Sequence, residues 1–410
     1  MSTLEQKALE YHAAGRPGKI AIQVTKPVAG PDDLSLAYSP GVAVPCVEIS
    51  KNPAAAYEYT GKGNLVGVIT NGTAVLGLGD IGALAGKPVM EGKSVLFKKF
   101  AGIDAFDIEI DETNPEKLVE IIAALHPTFG GINLEDIKAP ECFFIERHLR
   151  ERLAIPVFHD DQHGTAIVVG AGFLNALHLT GRDAAQVKVV CSGAGAAAMA
   201  CLDMLLDLGV RRENVYVCDS RGVITTGRDL SAEKRLWAQD TDAKTLSDVI
   251  GMADVFLGVS GPGLLRPEDV KKMAARPIVF ALANPEPELR PEKVHEAVSD
   301  AIVATGRSDY PNQINNALCF PYLFRAALDT AATTINQPMK RACVIALAEM
   351  ARSDAHFGPD YIVPTLLDRR LLTGVTPKIA SAAHESGVAR RQLEEEAYRV
   401  RLEALAATLL

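Results

Sequence analysis

The stretch VKVVCSGAGAAAMACLDMLLDLG (residues 187–209), followed by VYVCD (residues 215–219), decides the fold. Its first five residues are almost wholly apolar, the pattern of a strand buried on both faces, and the small-residue run after Gly195 reads as a helix that stops at Gly209. The loop between them is Gly193-x-Gly195-x-x-Ala198, and the second strand ends in Asp219, 21 residues beyond Ala198. Glycines there let a backbone approach a pyrophosphate, the helix N-terminus attracts it, and a strand-ending acid binds ribose hydroxyls. Gly193, Ala194, Gly195, Ala196 and Ala197 are therefore expected to cradle a dinucleotide. Asp219 suits the free ribose of NAD, whereas Arg221 could pair with the 2′-phosphate of NADP, so use of both is expected with a lean to NADP.

Downstream, ADVFLGVS (253–260), PIVFALAN (277–284) and AIVATG (301–306) repeat the buried-strand pattern. Together they predict a parallel sheet covered on both faces, and the residues after about 325 look helical to the end. Upstream, the small-residue stretch TAIVVGAGFLNALHL (165–179) reads as a helix. Before it, NLVGVI (64–69), SVLFKKF (94–100) and AFDIEI (105–110) read as strands alternating with helical PEKLVEIIAALH (115–126). The expected architecture is α/β in two domains, residues 1–162 and 163–400, the second Rossmann-like with a helical tail.

Composition excludes several classes. The 410 residues are 48% hydrophobic and 23% charged with net charge −9, and no basic cluster could track a nucleic-acid backbone. No run approaches the ~20 apolar residues of a membrane span, and the first residues lack the apolar core of a signal peptide, so a cytoplasmic protein is expected. The seven cysteines form no C-x-x-C pair and several lie in apolar runs, as reduced core residues would.

A second glycine loop, Gly77-x-Gly79-x-x-Gly82, lacks the strand-helix-strand-acid context, because Gly86 and Pro88 interrupt the segment after it. Gly92-Lys93-Ser94 resembles the end of a phosphate-binding loop, yet Lys87 stands where the first glycine belongs and a strand-like SVLF comes next. An ATPase is rejected on those grounds. Two acidic pairs, Glu135-Asp136 and Asp160-Asp161, each end an apolar run. Carboxylates at strand ends can converge, and a hard-oxygen set favours Mg²⁺ or Mn²⁺ over zinc; helix N-caps would give the same pattern.

The segments AYSPGVAVPC, NGTAVLGLGDIGALAGKPVMEGK, GGINLEDIKAPEC, FHDDQHGTA, SGAGAAA, ALANPEPE and GRSDYPNQINNALCFPY, in this order, resemble the bacterial malic enzymes. The resemblance covers about residues 15–330 and the helical tail more loosely. It implies oxidative decarboxylation of malate to pyruvate and carbon dioxide, with oxaloacetate decarboxylation possible at the same site. It also implies a nicotinamide cofactor, a divalent metal, and a homodimer or higher homo-oligomer. It further makes Tyr38 the general acid, Lys93 the general base and a substrate contact, and Glu135, Asp136 and Asp161 the metal ligands. Asp160 becomes a carboxylate that tunes the lysine or orients a ligand. Asn284 is placed near the nicotinamide ribose and Asn316 at the substrate carboxylate. Longer eukaryotic-type relatives carry a carboxylate-binding arginine where this chain has Ala74, which leaves the substrate's basic anchor unassigned. As a base, Lys93 must lie below its usual pKa of about 10.4, and burial and a nearby cation are expected to lower it. Two other readings remain at this stage, a metal-assisted dehydrogenase of another hydroxy acid and a nucleotide-sensing protein without turnover.

Overall fold

The computed structural model describes residues 3–409. Helices α1 (Thr3–Ala13), α2 (Pro31–Ala37), α3 (Ala43–Lys51) and α4 (Ala56–Tyr59) form an N-terminal arm in which no residue is buried. The chain then enters β1 (Leu65–Thr70), α5 (Ala83–Ala101), β2 (Asp104–Glu109), α6 (Pro115–Leu125), β3 (Gly131–Leu134), α7 (Glu141–Arg152) and β4 (Val157–His159). The four strands pair in parallel in the order β2-β1-β3-β4. β1 and β3 thus leave their carboxyl ends side by side, with the Glu135 amide donating to the Ile69 carbonyl at 2.9 Å.

α5 corrects the sequence reading. Residues 94–100 are helical rather than a strand, and the helix runs through Gly86 and Pro88 without a break. An internal proline costs ~3 kcal/mol. That cost is offset because Met90, Lys93, Ser94, Phe97 and Ala101, at helical spacing, are all buried. The phosphate-loop look-alike therefore lies in mid-helix, so the strand-like reading of SVLF falls as a ground against an ATPase, while Lys87 in place of the first glycine stands.

α8 (Asp160–Thr180) begins directly at the end of β4 with His159 as its N-cap, so a division at 162/163 falls within one continuous helix. Beyond it come β5 (Val189–Ser192), α9 (Ala196–Asp207), β6 (Val215–Asp219), β7 (Gly222–Val223), α10 (Ala232–Arg235), α11 (Leu246–Val249) and β8 (Val255–Gly258). The second sheet is completed by α12 (Pro267–Val270), β9 (Ile278–Ala281), α13 (Pro291–Ala297) and β10 (Ile302–Thr305). Its order is β10-β9-β8-β5-β6-β7, parallel except for the β6–β7 hairpin. The order reverses between β5 and β8, the place where ligands of such sheets bind. Four helices close the chain, α14 (Phe320–Asp329), α15 (Gln337–Arg352), α16 (Arg370–Glu385) and α17 (Glu395–Leu409), which is the expected helical tail. α8 and α14 are mostly buried, and one apolar core runs from Val66 and Phe97 through α8 to Val189 and α16.

Candidate active site

The carboxyl ends of β3 and β4 bring the two acidic pairs together. Glu135, Asp136 and Asp161 present oxygens that all lie within 4.8 Å of one another. Asp136 takes a left-handed conformation with φ +54°, which aspartate adopts more readily than most residues with a side chain. Its amide donates to Asp161 Oδ2 at 2.8 Å, and its Oδ2 is buried with no partner. Asp160 and Asp161 occupy the first turn of α8, where the helix dipole favours negative charge. Asn133, not anticipated from sequence, donates from Nδ2 to Glu135 Oε2 at 2.9 Å. Three hard-oxygen carboxylates with an unpartnered buried oxygen fit Mg²⁺ or Mn²⁺.

Lys93 reaches this cluster from α5, with Nζ 2.6 Å from Asp160 Oδ2 and 2.9 Å from Glu135 Oε1. Phe320, which the sequence did not suggest, lies beneath the ammonium with its ring centre 4.7 Å from Nζ. Burial by itself lowers the Lys93 amine, but the carboxylates of Asp160, Glu135 and Asp161 outweigh it and hold the amine above its ordinary value. The expected depression of Lys93 is thus reversed while the carboxylate charge is uncompensated. Burial raises Glu135, Asp136, Asp160 and Asp161 despite the opposing pull of the Lys93 ammonium, and neighbouring carboxylates add to the rise.

The second domain completes the wall. Gly164 of α8 is hemmed in by Asp160 and Asn316, so that a Cβ there would lie 2.1 Å from Asp160 Oδ1 and 2.8 Å from Asn316 Cβ. Asn316 therefore stands beside Asp160. Asn284, three residues beyond β9, packs on Gly306, and its carbonyl lies where a Cβ on Gly77 would come within 2.7 Å. The second glycine loop is thus a contact between the domains. Ala74, the position of the missing arginine, donates its amide to the Asp136 carbonyl at 2.9 Å and so lies at the acidic cluster. Tyr38 is not brought into this set. It caps α2 on the arm and is 71% exposed.

Gly193, Ala194 and Gly195, directly after β5 at the switch point, line a cavity of about 790 Å³ together with Asp219 and Arg221, a volume within the usual size of ligand sites, while Ala196 and Ala197 open α9 and do not line it. Ser192 and Ser260 meet there at 2.9 Å. Glu288, fully buried, accepts from the amides of Ser260 at 2.9 Å and Ala283 at 3.1 Å, tying the loops after β8 and β9 together. It lies four residues beyond Asn284 in ALANPEPE, where no local pattern marks the glutamate. Six cysteines are buried and unpaired as expected, and Cys46 is exposed.

Comparison with known proteins identifies both domains. Residues 17–150 match the malic enzyme N-terminal domain and residues 162–388 the malic enzyme NAD-binding domain. The chain is 58% identical over 408 residues to the NADP-dependent malic enzyme of Escherichia coli, covering 96% of this chain and 54% of that protein. It spans about half the length of that and several other curated relatives. The NADP-dependent malic enzyme of Halomonas elongata is 55% identical over 400 residues, covering 94% of this chain and 95% of the relative. The crystal structure of a malic enzyme from Pyrococcus horikoshii superposes with a TM-score of 0.93 at 43% identity, over 99% of this chain and 96% of that one. With a lysine set among strand-end carboxylates in front of a dinucleotide-binding sheet, and with both domains matched, the chain belongs to the malic enzyme family.

Proposed function

We propose that the chain oxidises malate to oxaloacetate with NAD(P) and decarboxylates it to pyruvate and carbon dioxide. The observation that carries this is Lys93 Nζ at 2.6 Å from Asp160 and 2.9 Å from Glu135, beside three convergent carboxylates. Lys93 takes the C2 hydroxyl proton as hydride leaves C2 for the nicotinamide, and Asp160 accepts from the amine and fixes its position. A divalent ion held by Glu135, Asp136 and Asp161 would polarise the C2 oxygen and cancel the carboxylate field that keeps Lys93 protonated. Asn316, beside Asp160, binds the substrate carboxylate, and Asn284 faces the nicotinamide ribose. Loss of carbon dioxide leaves an enolate whose C3 would be protonated by Tyr38 once the arm is carried to a cleft, since within the single chain Tyr38 stands exposed and apart from the carboxylates. Added oxaloacetate would enter at the decarboxylation step.

The chain acts as a homo-oligomer, because the arm that carries Tyr38 also exposes Leu34, Leu36, Val44 and Val47. Unpaired thiols suit the reducing cytoplasm. Assay of the purified chain with Mn²⁺, NAD or NADP, and malate, lactate, isocitrate or tartrate tests the reading. Reduced cofactor and pyruvate from malate alone are expected. Preference for another acid would make it a different dehydrogenase, and cofactor binding without any turnover would make it a nucleotide sensor.

A further inference from the structure

His163 lies on α8, two residues beyond Asp161. Its Nε2 donates to Glu146 of α7, at 2.8 Å from Oε1 and 3.0 Å from Oε2. An ionised carboxylate only accepts, so Nε2 carries the proton and Nδ1 is left as the acceptor, 3.4 Å from the ammonium of Lys340 on α15. Glu146 and Lys340 are 6% and 8% exposed. Lys340, His163 and Glu146 thus form one buried polar chain that joins the helical tail to α8 and α7.

Stability does not account for this chain. Burial lowers Lys340 to about 8 against the pull of Glu146, so the cation is held there at the expense of its hydration. Apolar residues of similar volume often replace buried ion pairs with no loss of stability. The surroundings would accept them, since the ring of the buried Phe158 already packs against His163 with centres 5.5 Å apart.

What the chain does hold is the first turn of α8. Farther along, Gly170 lets α8 approach its neighbours so closely that a Cβ there would lie 3.1 Å from side-chain atoms of Met204 and Leu208 and 3.3 Å from Val344. The middle of the helix is therefore fixed by shape, against α9 and its C-cap and against α15. The first turn, which carries Asp160 and Asp161, is tied by polar contacts instead. Two of these join the same pair of segments. The Asp136 amide donates to Asp161 Oδ2 at 2.8 Å, and His163 donates to Glu146 on the helix that follows Asp136.

We propose that His163 is a positioning residue for the cation site: gripped by Glu146 and Lys340, it sets the first turn of α8 and so holds Asp161 in register with Glu135 and Asp136. This inference rests on the reading of those three carboxylates as metal ligands, and it adds the groups that keep them in place.

Calorimetric titration of the full chain with Mn²⁺, and separately with NADP, tests this without turnover. The variant Glu146→Leu/His163→Leu/Lys340→Met replaces the chain with apolar groups, and its thermal midpoint in the absence of metal is expected at or above that of the wild type. Its Mn²⁺ affinity should nevertheless fall about tenfold or more, the scale seen when the groups that orient metal ligands are lost. Its NADP affinity should be unchanged. His163→Gln can still donate to Glu146 and accept from Lys340, so its Mn²⁺ affinity should stay within about threefold of the wild type. Wild-type Mn²⁺ affinity in the triple variant, a lower thermal midpoint, an equal loss of NADP affinity, or a His163→Gln loss as large as that of the triple variant would each overturn the proposal. A wild type that binds no Mn²⁺ would instead overturn the reading of the three carboxylates as a metal site.

Discussion

Lys93 shows why a residue's chemistry is set by its neighbours. On a solvated helix it would be an ordinary surface amine, and its local pattern, Gly92-Lys93-Ser94, suggests only a phosphate loop that the fold does not form. The resemblance to known sequences named it, and the fold supplies the cause, by burying it among Asp160, Glu135 and Asp161. Loss of a positioned base typically costs about 10²–10⁴-fold in rate. Lys93→Ala should accordingly lower kcat for malate by that order, with partial recovery on adding a small primary amine that fits the cavity; undiminished turnover would remove it as the base. Asp161→Asn keeps the shape and removes a charge from the acidic cluster. Direct titration with Mn²⁺ should show affinity reduced about tenfold or more, as expected when a hard cation loses an anionic ligand. Binding as tight as in the wild type would mean that the ion lies elsewhere.

Among the elements, the strands were easy to read and α5 was not. Strands β5, β6, β8, β9 and β10 are short apolar runs bounded by turns, which sequence shows directly. In α5 the local signals conflict, because Gly86, Pro88 and the β-like SVLF argue against helix, while the buried stripe Met90, Lys93, Phe97 and Ala101 argues for it. Tertiary burial decided in favour of the stripe, and part of that stripe is a lysine, which hides it from any count of apolar residues. A half-buried lysine ties the start of the first sheet to the turn before β3. Lys62, one turn before β1, donates from Nζ to the carbonyls of His126, Pro127 and Phe129 at 2.9, 3.1 and 2.5 Å. Burial, with repulsion from Arg390 added, lowers it to about 8. An unfolded lysine titrates near 10.4, so between about 8 and 10.4 the unfolded chain binds the additional proton and stability from this group rises with pH. Lys62→Met should flatten that rise. The test is the denaturant midpoint of both proteins at pH 7.5 and 10, and an identical change in the two would show that Lys62 does not cause it.

At the scale of the molecule, the candidate site is assembled from both sheets and from α5, α8 and the segment before α14, whereas the arm stands apart from it. The strand-end acids could be seen to converge from sequence because sheet topology dictates it. The placement of Tyr38 could not, since nothing in AYSPGV says which surface will cover it. Leu36, Tyr38 and Val44 are 74%, 71% and 67% exposed, an apolar face that a lone chain would leave in water. If a second copy covers this face, assembly and turnover must be lost together, because Tyr38 moves with the arm. Leu36→Asp combined with Val44→Asp should convert the wild-type oligomer to monomers in light scattering. The same variant should lose malate turnover while still binding NADP, whose loop lies on the other sheet. A monomeric variant that turns over malate at the wild-type rate would show that Tyr38 needs no covering partner, and an unaltered oligomer would show that the subunits meet elsewhere.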